Sequence, residues 1–200
     1  ESGSATNQTN SYNGYQTFLT NNSIDAVDAW LLLGDNAYNV GNTTEYTSGF
    51  FTPYNAGTKQ ILRNHKLYPS PGNHDYNNAG FTGATNLANR RLRTWHYFSC
   101  FTTPQNAECG GVASTKPNYY SFDIGNIHFL SLDSWGLEQT DGDSWMGSVS
   151  ATTVMKNWIA ADLLANTKKW VIAYWHHPPY TKGSHDSDAE TDLAQIRASI

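Results

Sequence analysis

The strongest constraint on this chain is that its short apolar runs stop at turns carrying Asp, Asn or His. Ala29-Trp-Leu-Leu-Leu33 stops at Gly34-Asp35-Asn36, and Lys66-Leu-Tyr-Pro-Ser70 at Pro71-Gly72-Asn73-His74-Asp75. Trp170-Val-Ile-Ala-Tyr-Trp175 stops at His176-His177-Pro178-Pro179. A run that is apolar at every position has no polar face, so it reads as a strand covered on both sides. Such strands belong to layered α/β folds, where sites form at the carboxyl ends of strands. Asp, Asn and His are oxygen and nitrogen ligands suited to iron, manganese or zinc. With no cysteine among them, a structural zinc site is disfavoured. Each turn alone is ordinary turn chemistry. Their recurrence at three strand tips is what points to one site.

The rest of the chain fits a layered α/β fold with a mixed sheet. Residues 1–23 are polar, with Tyr15, Phe18 and Leu19 spaced for one short helix, and a helical stretch is expected over much of 44–64. Residues 77–118 are loop-rich, and Arg90-Arg-Leu-Arg93 reads as a solvated face. Tyr119–Asp123 and Ile127–Leu132 are strands joined through Gly125-Asn126, a hairpin signal. Ser150 is an N-cap candidate for a helix with Val154, Met155, Trp158, Ile159 and Leu163 on one stripe. Ser187 and Glu190 have capping-box spacing before a helix carrying Leu193, Ile196 and Ile200.

Composition excludes several functions. With 12 Lys plus Arg against 17 Asp plus Glu, the chain carries a net charge of -5 and lacks the basic footprint of a nucleic-acid binder. Aromatics at 14% argue against disorder. The longest apolar run, Ala29–Leu33, is far too short to span a bilayer, so no membrane partner is expected. Charged residues are 14%, against roughly 25% in an average soluble protein, and Asn, Thr and Ser replace them. That composition is common outside cells, and a secreted location is expected. Cys100 and Cys109, nine positions apart in a turn-rich segment, are expected to form a disulfide. Sequons at Asn7, Asn21 and Asn42 permit glycans.

Gly34-Asp35-Asn36-Ala37-Tyr38, Gly72-Asn73-His74-Asp75 and Trp175-His176-His177-Pro178 together resemble the metallophosphoesterase superfamily, most of all the purple acid phosphatases. The stretches Tyr120–Ser134 and Trp170–Ser187 resemble that family too, so the likeness runs over essentially all 200 residues. The resemblance implies a layered α/β/β/α sandwich with mixed sheets, here a partial catalytic domain incomplete at both ends. The family's first block, D-x-G, would fall at Glu1-Ser2-Gly3, and its last, G-H-x-H, has no counterpart before Ile200.

The resemblance also implies chemistry. Two metal ions are expected, Fe(III) with a divalent Zn, Mn or Fe. Asp35 would bridge them, Tyr38 would bind the ferric ion as phenolate, and Asn73 and His176 would bind the divalent ion. His74 would contact the phosphate and protonate the leaving alcohol, and His185 would face the substrate. His177 reads as a support for the ligands or as structural, and His65, His96 and His128 read as structural. The implied activity is acid phosphatase chemistry, hydrolysis of a phosphate monoester on a phosphorylated small molecule. The alternatives are a phosphodiesterase or nucleotide hydrolase on the same scaffold, and a secreted glycoprotein that keeps the fold without activity.

Overall fold

The structure, a computed structural model, describes residues 5–76, 96–134 and 154–190, together with residues 193, 194, 197 and 198. Its strands are β1 (Trp30–Leu33), β2 (Leu67–Ser70), β3 (Tyr120–Ile124), β4 (Ile127–Ser131) and β5 (Trp170–Tyr174). Helices α1 (Ala5–Asn21), α2 (Thr43–Glu45), α3 (Thr52–Tyr54), α4 (Ile61–Asn64), α5 (His96–Cys100) and α6 (Val154–Ala165) surround them. β1 and β2 pair in parallel, with Leu32 opposite Pro69. In the second sheet β4 is central, antiparallel to β3 and parallel to β5.

Alternation along the strands builds the layers. Leu31 packs between the sheets with Tyr68, Tyr120, Phe122, Phe129 and Tyr174. Leu32, on the opposite face of β1, meets Tyr46, Phe50, Tyr97 and Phe101 from the helical side. Phe129 likewise faces the first sheet, while Leu130 packs with Met155 and Trp158 of α6. The order is therefore helices, sheet, sheet, helix, the mixed sandwich the sequence implies. Side chains stitch the two sheets at β2: Ser70 Oγ donates to the Leu132 carbonyl at 2.8 Å, and Tyr120 Oη to the Pro69 carbonyl at 2.8 Å.

Local chemistry sets the boundaries. Asn42 caps α2, its side chain accepting from the Glu45 N–H at 2.9 Å while Glu45 Oε2 accepts from the Asn42 N–H at 3.2 Å. The helical stretch expected over 44–64 is broken. A π-helical turn, Tyr46–Phe51, leads into α3, and the chain then leaves helical geometry at Gly57 (φ +78°) before α4. A Cβ on Gly57 would meet the Gln16 side chain of α1 at 2.1 Å, so the break lets α1 approach.

Four other expectations are corrected. β5 is not buried on both faces: Trp170, Val171 and Ile172 are 57%, 46% and 41% exposed, because β5 has no partner on its outer edge among the described residues. The inward stripe of α6 is Met155, Trp158 and Asp162, with Val154 and Leu163 exposed. Ser187 does not cap a helix with Glu190, since its Oγ accepts from the Thr181 N–H at 3.1 Å. Cys100 and Cys109 are free thiols. Cys100 closes α5 against the cluster on the helical side of β1, whereas Cys109, exposed, belongs to the second sheet through its carbonyl, which accepts from the Asp123 N–H at 2.9 Å. Expectations at Glu1, Arg90–Arg93, Ser150, Ile196 and Ile200 lie outside the described residues.

His128 is 1% exposed on β4, with Nδ1 2.8 Å from Asp123 Oδ1 and Nε2 2.6 Å from Asp162 Oδ2. His65 is buried with Nε2 2.9 Å from Tyr15 Oη, and His96 Nδ1 lies 2.8 Å from Thr43 Oγ1. Of the sequons, Asn7 and Asn21 fall within α1, and Asn42 is engaged as the cap.

The separation of the cysteines makes a direct prediction. Denatured, unreduced protein should titrate two thiols. In the native protein Cys109 should react first, because burial, with the charge of Asp75, raises the Cys100 thiol above its ordinary value. No reactive thiol on unfolding would mean that the cysteines are joined.

Candidate metal centre

Asp35 follows β1 with φ +52°, a left-handed conformation that Asp tolerates better than most residues, and its carboxylate is buried. Three groups from elsewhere in the sequence meet it. Tyr38 Oη donates to Oδ2 at 2.6 Å, the His74 N–H donates to Oδ1 at 3.0 Å, and His176 Nε2 lies 3.1 Å from Oδ2. His74 Nε2 stands 4.0 Å from the same Oδ2. The tips of β1, β2 and β5 thus converge on one carboxylate.

Glycine makes that approach possible. A Cβ on Gly34, whose φ is +86°, would lie 2.6 Å from His176 Cβ, and a Cβ on Gly72 would lie 2.3 Å from Asp35 Oδ1. Any side chain at either place would push the tips apart.

The histidines are held in defined tautomers. His176 Nδ1 is 2.9 Å from the Leu33 carbonyl, which can only accept, so Nδ1 carries a proton and Nε2 points at Asp35. That is how metal-ligating histidines are usually fixed, with the outer N–H on a carbonyl or carboxylate. His74 Nδ1 donates to the Asn39 carbonyl in the same way, leaving its Nε2 free for other partners. His177 turns away: its Nδ1 is 2.8 Å from the Oγ of buried Ser134. The Asn73 side chain, half-buried, has no hydrogen-bond partner among the described residues. His185 is not brought to the group. Its side chain is 80% exposed and Nδ1 lies 2.8 Å from Glu190 Oε1.

Electrostatics follow the geometry. Burial opposes the charge on Asp35, yet the His176 hydrogen bond and charge, with Tyr38 and the His74 amide, outweigh it and lower the carboxyl to about 2. Burial opposes the charge on His176 too, and Asp35 reverses it, raising that imidazole above its ordinary value. Burial and the neighbouring His176 charge push His177 down to about 3. The two adjacent histidines therefore shift in opposite directions, His176 upward through Asp35 and His177 downward chiefly through burial.

A carboxylate, a phenol, an imidazole and an amide oxygen form a donor set of mixed hardness that suits transition-metal ions. Asp35, Tyr38, Asn73 and His176 are the residues that would hold it. Among the described residues no three His, Cys, Asp or Glu side chains form a metal-holding group, so the phenol and the amide are essential to the set.

Beneath this layer lies Asp75, which the strand-tip reading places in the second turn without assigning it a role. It is 1% exposed and accepts from the Asn36 N–H at 3.1 Å, Asn36 Nδ2 at 3.0 Å, the Gly72 N–H at 2.8 Å and Tyr46 Oη. Burial pushes its carboxyl up to about 6 against these hydrogen bonds, with the charge of Asp35 adding to the rise. An acid directly after His74, at the foot of a ligand-bearing turn, was the available signal in the sequence. Asp75→Ala should strand several buried donors and cost at least about 3 kcal/mol. Urea unfolding of the variant measures this, and a loss under about 1 kcal/mol would mean that the two tips hold together without Asp75.

Comparison with known proteins gives the family. The Calcineurin-like phosphoesterase family model (Metallophos) matches residues 9–198. Purple acid phosphatase 13 of Arabidopsis thaliana is 33% identical over 99 residues, which is 48% of this chain. The matched stretch covers 15% of that protein's length, so the likeness is local. The family match runs from α1 past the last of the three strand tips, and on that extent the chain belongs to the calcineurin-like phosphoesterases, the metallophosphoesterases.

Proposed function

We propose that this chain carries the site of a secreted acid phosphatase that hydrolyses phosphate monoesters of small molecules. The observation that carries the reading is the convergence of Tyr38 Oη and His176 Nε2 on Asp35 Oδ2, at 2.6 and 3.1 Å. Calcineurin-like phosphoesterases use binuclear metal centres, and here Fe(III) with Zn, Mn or Fe suits the phenol of Tyr38. When bound, the metals would supply Lewis acidity and lower the pKa of water enough for attack at mildly acidic pH.

The chain's own groups do the rest. Asp35 supplies two oxygens and stays ionised well below neutrality, so it can bridge without waiting for a proton to leave. His176 presents Nε2 because Leu33 holds Nδ1, and Asn73 offers an uncommitted amide oxygen. His74, with Nδ1 on Asn39, has Nε2 to carry the proton that a departing alcohol needs. His185 pairs with Glu190 outside this group and is given no role in the reading. Secretion and glycosylation rest on composition and on the sequons at Asn7 and Asn21, since the cysteines give them no support.

Asp35→Asn should lower turnover of p-nitrophenyl phosphate by more than about 10²-fold and remove at least one metal equivalent by elemental analysis. Retention of both metal and turnover would overturn the assignment. His74→Ala should lower turnover by about 10²–10⁴-fold, most for poor leaving groups, with metal content unchanged. Loss of an ion would instead make His74 a ligand. A bis(p-nitrophenyl) phosphate rate above the monoester rate would make the enzyme a diesterase.

A further inference from the structure

The inward stripe of α1 is unusual for a helix lying on a sheet. Gln8, Tyr12 and Tyr15 fall at i, i+4 and i+7, where a core-facing stripe is normally aliphatic, and Ser11 stands exposed at their edge. Small and polar groups there leave a cavity of about 700 Å³ between α1, the start of β1 and the α3–α4 region. That is within the usual range for small-molecule sites, about 300–1,000 Å³. The cavity lies at the opposite end of β1 from Asp35, about 10 Å away along the strand alone.

Its walls are aromatic and fixed. Trp30 and Tyr54 meet edge to face, with centroids 5.1 Å apart, and Trp30 stacks on Tyr15 at 6.1 Å. Tyr12 Oη bonds to the carbonyls of Tyr54 at 3.1 Å and Ala56 at 2.9 Å, and Tyr15 Oη pairs with His65, so neither ring can swing away. Set among the rings are neutral polar groups with unused capacity. Gln8 is 8% exposed; its Nε2 donates to the Gly49 carbonyl at 2.5 Å, while its Oε1 has no partner among the described residues yet is not sealed from solvent. The Ser11 hydroxyl and the Trp30 indole N–H make no hydrogen bond among the described residues. Among the described residues no Asp, Glu, Lys, Arg or His side chain lines the cavity.

We infer that this cavity is a binding site for a neutral saccharide. A sugar ring presents apolar C–H faces that suit aromatic walls and a rim of hydroxyls that suits an amide oxygen, a hydroxyl and an indole N–H. The absence of any charged lining group disfavours a phosphorylated or carboxylated ligand, which separates this site from the metal centre in chemistry as well as position.

Calorimetric titration of the protein with cellobiose, N,N′-diacetylchitobiose and adenosine tests the assignment. One of the disaccharides should bind saturably at one site, and adenosine should not. Ser11→Trp, which fills the mouth from an exposed helical position, should weaken that binding at least about tenfold with the unfolding midpoint unchanged. Gln8→Leu, which removes the acceptor, should weaken it by a similar factor. If Gln8→Leu does not fold, Ser11→Trp decides alone. Binding of neither disaccharide, binding of adenosine in their place, or wild-type affinity in folded Ser11→Trp would each overturn the inference.

Discussion

The candidate centre depends on one buried carboxylate that touches no substrate. Asp75 gathers the main-chain and side-chain N–H groups of Asn36, the Gly72 N–H and the Tyr46 hydroxyl. Asn36 follows Asp35, and Gly72 precedes Asn73, so Asp75 binds together the two turns that carry the oxygen donors. Tyr46 belongs to the helical layer, so the same carboxylate also ties those turns to the packing outside the sheet. Loop residues have no ladder to hold them in register, and a multi-donor acceptor beneath them supplies the missing constraint.

Above that clamp, contacts too close for any Cβ bring opposite charges together. His176 can approach Asp35 only because Gly34 has no side chain, and Asp35 can sit under the β2 turn only because Gly72 has none. The approach determines the charge states. Asp35 is held at about 2 and the His176 imidazole is raised above its ordinary value, while burial, with the neighbouring His176, lowers His177 to about 3.

Much of this was legible in the sequence because a strand covered on both faces leaves a plain trace. The runs before Asp35, Asn73 and His176 fixed where the turns lie, and the turn residues announced the ligand types. What escaped was whatever depends on partners far along the chain. β5 carries the same apolar signature as β1 yet is exposed, because its outer edge has no neighbour among the described residues. The cysteines looked paired at nine residues apart, but sequence distance says nothing of which layer each side chain joins. Asp75 stood in a turn the sequence marked, but its role did not show, because four donors spread over residues 36–72 leave no local pattern.

The His128 network shows why strand tips, and not charged clusters as such, identify the chemistry. His128 sits closer to its carboxylates, at 2.6 and 2.8 Å, and deeper than His176 sits to Asp35. Asp162 also accepts from Ser121 Oγ at 2.7 Å and from the Val112 N–H at 2.6 Å, and Lys168 Nζ lies 3.5 Å from Asp123. Every polar atom there has a protein partner. Both imidazole nitrogens are taken, and the ring lies mid-strand between β3 and α6, so the network can only hold those elements together. At the tips the same residue types keep something in reserve. The Asn73 amide is unused, and His74 and His176 each commit only Nδ1 to a backbone carbonyl, turning Nε2 toward one exchangeable carboxylate oxygen. Unused coordinating capacity at the end of a rigid strand is the property that distinguishes a site from a brace.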